Sequence, residues 1–353
     1  MREATMSGSR TTSETFYQRH GGDHTAATMV KVLVIGASGH IGNAVTRELL
    51  ARGYEVTASG RRAQPPANLS GLAVRYVAGD AEAPGAIEKL VEGHEIVVDA
   101  AAPYPSLMAG ASAADPVAAA RRRTQSIVEA VRRQRARLAY VSSFTTLPER
   151  STGLERVQRE WIRQSHPYFA VKQEIETAIM AEARVGLRAV IVNPTLCVGP
   201  WDLKAREYCF VPRVLSGEAP VTVAHVVNVI DVREVAAGLV AALEAERYGE
   251  PIPLTGHNQS VESLYRWLCE IGGVAAPRLV APMTLTAITS YWSEVALGAV
   301  GVRPPLPAIA PLLTMLHDSF DISRAQAELG IVPRALSATL REAVEWYRQI
   351  GYC

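Results

Sequence analysis

The sequence is short of the features that would assign it to most specialised classes. Its four cysteines, Cys197, Cys209, Cys269 and Cys353, have neither metal-ligand spacing nor the density of a disulfide scaffold. Reduced thiols in the cytoplasm are the expectation, with no metal site. A block of one charge is also missing: 36 Lys and Arg stand against 35 Asp and Glu, for a net charge of +1. Neither a nucleic acid nor an acidic membrane surface is therefore indicated as a partner. The basic runs Arg121–Arg123 and Arg132–Arg133 read as solvated helix faces. No stretch reaches the roughly 18 uninterrupted apolar residues of a membrane span, and the nearest, 279–300, is broken by Ser290, Ser293 and Glu294. Residues 1–28 are polar, rich in Ser, Thr, Gly and His, and contain no apolar run that could serve as a signal-peptide core. They read as a flexible extension. No internal repeat or low-complexity tract is visible.

What the chain does have is length and an apolar share sufficient for a sizeable core, 353 residues with 48% hydrophobic. Near its start Val30-Lys-Val-Leu-Val-Ile35 reads as a parallel strand buried on both faces, and the apolar spacing after Gly42 reads as a helix. Between them Gly36, Gly39 and Gly42 frame a loop with Ser38, His40 and Ile41. Glycines at these places permit a tight turn, close approach of the backbone to a pyrophosphate and close packing of helix on strand, and the helix N-terminus offers free N–H groups. Three glycines alone are a weak signal; a strand before and a helix after supply the confirming context.

Strand-like runs then alternate with helical ones: Tyr54–Ser59, Leu72–Val77, Glu95–Asp99, Leu138–Val141 and Leu187–Pro194 as strands, with residues 113–134 and the stretch after Tyr168 as helices. This order predicts right-handed crossovers and an α/β, doubly wound parallel sheet. At the end of the second strand stand Arg61 and Arg62 with no acidic residue, which favours NADP over NAD: a carboxylate there would hold a ribose 2′-OH, an arginine a 2′-phosphate. Asp80 and Ala81 follow the third strand, where Asp80 could accept from an adenine amino group or cap the helix near Pro84. Ala100, Ala101 and Ala102 follow the fourth and are small enough for backbone to run beside a ligand or simply to pack. Ser142 and Ser143 end the fifth. Tyr168 and Lys172, four apart on helix-forming sequence, would project from one face. Asn193 and Pro194 end the sixth. Beyond them the pattern loosens, with a strand and helix at 227–243, a run at 251–256, Pro-rich joints through 258–316 and a terminal amphipathic helix at 335–347. The expected organisation is a dinucleotide-binding domain over 29–195, completed by about 226–256, and a smaller substrate lobe formed by 196–225 and 257–353.

Gly36-x-x-Gly39-x-x-Gly42, Gly79-Asp80, Ser142-Ser143, Tyr168-x-x-x-Lys172 and Asn193-Pro194, in this order across residues 30–350, resemble the extended short-chain dehydrogenase/reductase family of NAD-dependent epimerase/dehydratase type. Any one piece is common, but five in order are specific. Val97–Tyr104, Tyr140–Leu147, Val190–Asp202 and Asp321–Gly330 look most like the dihydroflavonol-reductase-like branch, which includes hopanoid-associated sugar epimerases. The chain departs from that branch at Asp99, where the family often has His, and in the loop 148–167, which lacks familiar landmarks. The resemblance implies a Rossmann fold with Tyr168 as general acid/base, Lys172 as its electrostatic partner and cofactor-ribose ligand, and Ser143 as the hydrogen-bond partner of the substrate oxygen.

An ammonium one turn away and a bound nicotinamide would have to lower the pKa of the tyrosine from about 10 by two to three units. The acidic residue that sugar dehydratases carry after the strand-five serine or threonine is missing from Ser143-Phe-Thr-Thr-Leu147, as is the Val-Tyr-Gly run of many sugar epimerases. Ketone/alcohol chemistry on a bulky, largely apolar small molecule is the leading expectation, with Leu279–Met283, Tyr291-Trp292 and Leu306–Leu316 as core or pocket wall. A nucleotide-sugar epimerase with tightly bound cofactor and a non-catalytic NADP-binding regulator are the alternatives, and a homodimer is left open.

Overall fold

In the computed structural model, the residues described are 29–352 except 82, 84, 102–113, 149–150, 204–208, 220, 303, 317–318 and 322. In chain order the strands of the main sheet are β1 (Lys31–Ile35), β2 (Glu55–Gly60), β3 (Arg75–Ala78), β4 (Ile96–Asp99), β5 (Arg137–Val141) and β6 (Ala189–Pro194). β7 (Leu196–Val198), β8 (Val221–Val223) and β9 (Val226–Asp231) lie outside it, β10 (Pro251–Leu254) returns to it, and β11 (His257–Ser260) and β12 (Leu279–Ala281) lie outside again. The helices of the first half are α1 (His40–Ala51), α2 (Ala86–Val91), α3 (Ala114–Gln134), α4 (Gly153–Ser165) and α5 (Pro167–Arg184). Those that follow are α6 (Phe210–Leu215), α7 (Val232–Glu244), α8 (Val261–Gly272), α9 (Met283–Gly298), α10 (Ile309–Leu316), α11 (Ser323–Leu329) and α12 (Leu336–Gln349).

Seven strands form one parallel sheet in the order β10-β6-β5-β4-β1-β2-β3. β1 shows why the sheet needs helices on both faces: Val32 and Val34 pack into the cluster holding Ala44, Val45 and Leu49 of α1 and Val235 and Leu239 of α7, whereas Leu33 and Ile35 pack with Ile127 of α3 and Ile175 of α5. A strand alternates its faces every residue, so a continuous apolar run serves two cores at once. The strand order reverses direction at β1 and β4, which opens a crevice at their carboxyl ends, the ligand position of such sheets.

A three-stranded sheet, β11-β9-β7, and the pair β12-β8 belong to the second half. A third apolar cluster there joins Val211 and Val214 of α6, Leu264 and Leu268 of α8, and Leu340, Val344 and Tyr347 of α12. A fourth bridges the halves: Phe144, Ile162, Tyr168 and Phe169 meet Met283 and Ala287 of α9 and Ile309, Leu312, Met315 and Leu316 of α10. α4 stands where the sequence offered no landmark. Its inward residues are Arg159, Ile162 and Ser165, so only one of the three carries an apolar signal.

Candidate active site

The loop after β1 turns at Gly36, whose φ is +84°. A Cβ there would lie 2.7 Å from Cβ of Ala101 and 3.0 Å from the backbone of Ala100, and one on Gly42 would lie 2.2 Å from the Gly36 carbonyl oxygen. Only glycine fits either position. Gly39 is the N-cap of α1 and no side chain caps the turn, so the first N–H groups of the helix are left for a ligand. Ser38 and Ile41 belong to the same turn: the Ser38 carbonyl accepts from Asn68 Nδ2 at 3.0 Å, and Ile41 packs on the core beneath. His40 contributes backbone to that turn, but its ring sits against Gly199 and Pro200, where burial lowers its pKa against the opposing pull of Asp202 and Asp231; Nε2 is buried without a partner.

Arg47 and Asn68 brace the loop. Arg47 donates to Asn43 Oδ1 at 2.9 Å and to the Asn68 carbonyl at 3.0 Å, and its guanidinium lies 4.4 Å from the centre of the Trp201 ring. Asn68 Nδ2 also donates to the Trp201 carbonyl at 2.9 Å.

At the end of β2 Arg61 and Arg62 are exposed, and neither has an ion-pair partner among the described residues. Asp80 is exposed after β3, and its carbonyl accepts from Ala83 N at 3.0 Å. It does not cap α2, whose N-cap is Gly85 in the left-handed region. Ala81 packs on the core beside it. Ala100 and Ala101 line the crevice opposite Gly36; Ala102 lies outside the described residues. The phosphate loop, uncapped helix end and unpaired arginines fit a dinucleotide.

The other half of the site is built on β5 and α5. His166 caps α5 by accepting at Nδ1 from Tyr168 N, 3.2 Å, and Pro167 starts the first turn with no N–H to satisfy. Tyr168 and Lys172 follow on one face, 6% and 7% exposed. Ser143 ends β5 as the N-cap of a 3₁₀ turn, Phe144–Thr146, and its Oγ accepts from Thr145 N at 3.3 Å and from Thr145 Oγ1 at 3.0 Å. Its own proton is thus free to be donated, and the Ser143 hydroxyl is hydrogen-bonded to Tyr168.

Burial dominates the electrostatics. It pushes the Tyr168 hydroxyl up to about 12, with the Ser143 hydrogen bond pulling the other way. Lys172, likewise buried, is lowered to about 8 against the opposing pull of Asp99 and Glu176, with Arg123 lowering it further. Lys172 Nζ donates to the Val141 carbonyl at 3.1 Å and lies 5.3 Å from the centre of the Tyr140 ring. At neutral pH the pair is a protonated phenol beside a protonated amine.

Beneath Ser143 lies a polar network absent from the sequence reading. Glu176 Oε2 accepts from Ser142 Oγ at 2.5 Å, from Thr146 Oγ1 at 2.7 Å and from Asn193 Nδ2 at 2.7 Å. Asn193 Nδ2 also reaches the Ser143 carbonyl at 3.0 Å. The amide nitrogen of Asn193 therefore fixes the serine loop from below; Pro194 closes the same strand. Spacing alone could have found Glu176, one turn past Lys172. A cavity of about 770 Å³ adjoins this network at Thr146, Leu147, Glu176 and Phe320, and its walls include none of Ser143, Tyr168 and Lys172.

Two sequence expectations are corrected. Arg121 is solvated and paired with Glu174, but Arg123 is buried and binds Asp99 through both carboxyl oxygens, at 2.7 and 2.8 Å. In the apolar stretch 279–316, Met283 belongs to the cluster with Tyr168, whereas Leu279, Val280 and Trp292 are exposed, Trp292 to 63%, and are not core. Among the described residues no helix is long and apolar enough to cross a membrane.

The chain is similar to known proteins over nearly its whole length. A protein of Synechocystis sp. provisionally named dihydroflavonol 4-reductase is 28% identical over 94% of this chain and 98% of its own length. Sterol demethylase protein B of Methylococcus capsulatus is 30% identical over 90% of this chain and 98% of its own. The crystal structure of a nucleoside-diphosphate-sugar epimerase from Pseudomonas aeruginosa superposes with a TM-score of 0.70 at 26% identity, covering 92% of this chain and 99% of that one. The family is one of nicotinamide-dinucleotide enzymes, oxidoreductases and epimerases of the extended short-chain dehydrogenase/reductase type. With its model matching residues 32–253, this chain belongs to the NAD dependent epimerase/dehydratase family.

Proposed function

We propose that the protein is an NADP-dependent oxidoreductase that interconverts a ketone and an alcohol on a bulky, largely apolar small molecule. The observation that carries this reading is that Tyr168, hydrogen-bonded to Ser143, is set in an apolar cluster with Phe144, Phe169, Met283 and Leu312. An apolar wall around few convergent polar groups suits a hydrophobic ligand. The names of the two curated relatives, one a flavonoid reductase and one a sterol protein, support the same substrate class.

In this reading residues 29–195, completed by about 226–256, hold the dinucleotide, and 196–225 with 257–353 form the substrate lobe. The α1 N-terminus and the Gly36, Gly39 and Gly42 loop take the pyrophosphate, Lys172 binds the ribose, and Arg61 with Arg62 takes the 2′-phosphate. The dinucleotide supplies the hydride. Ser143 orients the substrate oxygen, and Tyr168 gives its proton to that oxygen as the carbonyl is reduced. A phenol that stays protonated at neutral pH is a ready donor for reduction, while alcohol oxidation needs Tyr168 ionised, so the oxidation rate rises with pH. The unpaired cysteines Cys197, Cys209 and Cys269 suit a reducing compartment such as the cytoplasm.

The test is a panel of apolar ketones, including sterol ketones and flavonoids, incubated with NADPH. Stoichiometric loss of nicotinamide absorbance supports the reading. A second reading, sugar-nucleotide epimerisation, draws on the likeness to the Pseudomonas enzyme; it is the outcome if two nucleotide-sugar epimers interconvert with no net change in cofactor.

A further inference from the structure

Asp99 and Arg123 form an ion pair that both halves of the site touch. Asp99 ends β4 and is 2% exposed; Arg123 lies on α3 and is 7% exposed. Arg123 Nη1 donates to Asp99 Oδ2 at 2.7 Å and Nη2 to Oδ1 at 2.8 Å, a two-point bond that occupies both carboxyl oxygens. Oδ1 also accepts from Ala101 N at 3.1 Å, so the same carboxyl group holds the backbone that closes over Gly36. Buried ion pairs add little net stability over apolar side chains of equal size, so what this pair contributes is where it puts its charges.

Those charges face Lys172. The groups around its amine are Asp99 from β4, Arg123 from α3, Tyr140 from β5 and Glu176 from its own helix. Asp99 and Glu176 favour the ammonium, and Arg123 and burial oppose it. Tyr140 is fully buried with its hydroxyl unpartnered. Lys172 does not pair with Asp99; it bonds the Val141 carbonyl. A carboxylate with both oxygens already taken by a guanidinium is a poor partner for a second cation.

We propose that the Asp99–Arg123 pair is a positioning device for Lys172: Arg123 saturates both oxygens of Asp99, so that the lysine is not captured by the nearby carboxylate and remains available to the cofactor. The inference rests on the assignment of Lys172 as a cofactor ligand. It makes Asp99 and Arg123 act on Lys172 with opposite sign.

The experiment is NADPH titration by nicotinamide fluorescence from pH 6 to pH 10 on the whole chain, with thermal unfolding followed by circular dichroism as a fold check. Asp99→Asn leaves Arg123 opposing the ammonium alone and moves the pH at which affinity falls downward by about one unit. Arg123→Gln frees Asp99 to capture Lys172, which moves that midpoint upward and weakens binding at pH 7 by about tenfold. The double variant Asp99→Asn/Arg123→Gln, uncharged and of similar size, returns the midpoint to within about half a unit of wild type. Should a single variant fail to fold, Arg123→Lys keeps the charge but not the two-point bond, and its midpoint rises by a smaller step. Midpoints that stay fixed, or move in the same direction in both single variants, overturn the proposal even if affinity drops. Wild-type protein that binds neither NADPH nor NADH at any pH refutes instead the cofactor assignment beneath it.

Discussion

Replacing Glu176 by alanine removes the acceptor on which three donors, buried Ser142 and Asn193 and half-buried Thr146, converge, and the structure allows the cost to be worked out donor by donor. Asn193 Nδ2 keeps the Ser143 carbonyl at 3.0 Å and Thr146 Oγ1 at 2.9 Å, and Thr146 Oγ1 keeps the Ser143 carbonyl at 2.8 Å. Ser142 Oγ has only Thr146 Oγ1 at 3.4 Å to fall back on. One donor is thus nearly orphaned, at roughly 1–3 kcal/mol, and two lose one of their bonds, at about 0.5–1.5 kcal/mol each. The expected loss is about 3–4 kcal/mol, read as the shift in urea midpoint multiplied by the unfolding slope. Glu176→Gln keeps an acceptor oxygen in place and is expected to lose about half as much. Because Ser143 loses support from below, turnover in the alanine variant falls by about two orders of magnitude with cofactor affinity nearly intact. An alanine variant within about 1 kcal/mol of wild type, or a glutamine variant as damaged as alanine, refutes the network as a determinant of the serine loop.

Tyr168→Phe removes the transferable proton and little volume; turnover is lost and NADPH affinity stays nearly unchanged, and retention of more than about a tenth of the activity contradicts the assigned role. Arg61→Ala shrinks the preference for NADPH over NADH by about tenfold or more, as measured by paired fluorescence titrations, while equal affinities in wild type show that the arginine serves solvent alone. Lys172 is lowered from 10.5 to about 8 on folding, so between those values the unfolded chain holds the extra proton and stability rises with pH. That rise amounts to about 3 kcal/mol and disappears in Lys172→Met; denaturant midpoints taken at pH 7.5 and 10 that climb equally in both proteins contradict it.

The sheet was legible because its strands obey one rule. Each of β1, β4, β5 and β6 is an apolar run buried on both faces, and Gly36, Ala100 and Ser142, just after the first three, and Asn193, near the end of β6, fall where the topology gathers ligand-facing groups. Tyr168 and Lys172 were legible for the same kind of reason, a fixed helical period. Arg123 escaped although its period was visible: Ala120, Thr124, Ile127 and Val131 of α3 are all buried, and position 123 lies on their face. Charge overrode periodicity in the reading because the compensating carboxyl, Asp99, is 24 positions away on another element. Trp292 departs the other way, an aromatic expected in core or pocket wall and found 63% exposed.

The electrostatics of Tyr168 lay furthest from the sequence. Four-residue spacing says that an amine is near a phenol, but the ionisation of that phenol is set by how much water the surrounding chain removes, and Phe144, Ile162, Phe169, Met283 and Leu312 come from three separate stretches. Desolvation acts on both members of the pair and in opposite directions, raising the tyrosine and lowering the lysine. Each therefore moves toward its neutral form, and the attraction between phenolate and ammonium that the motif suggests is not what the folded chain stores. What it stores is a proton on Tyr168 and an ammonium that is less basic than a free lysine, held apart from the nearest carboxylate by an arginine. A site in that state is prepared to deliver a proton to an incoming oxygen, and its reverse reaction depends on whatever positive charge the cofactor brings.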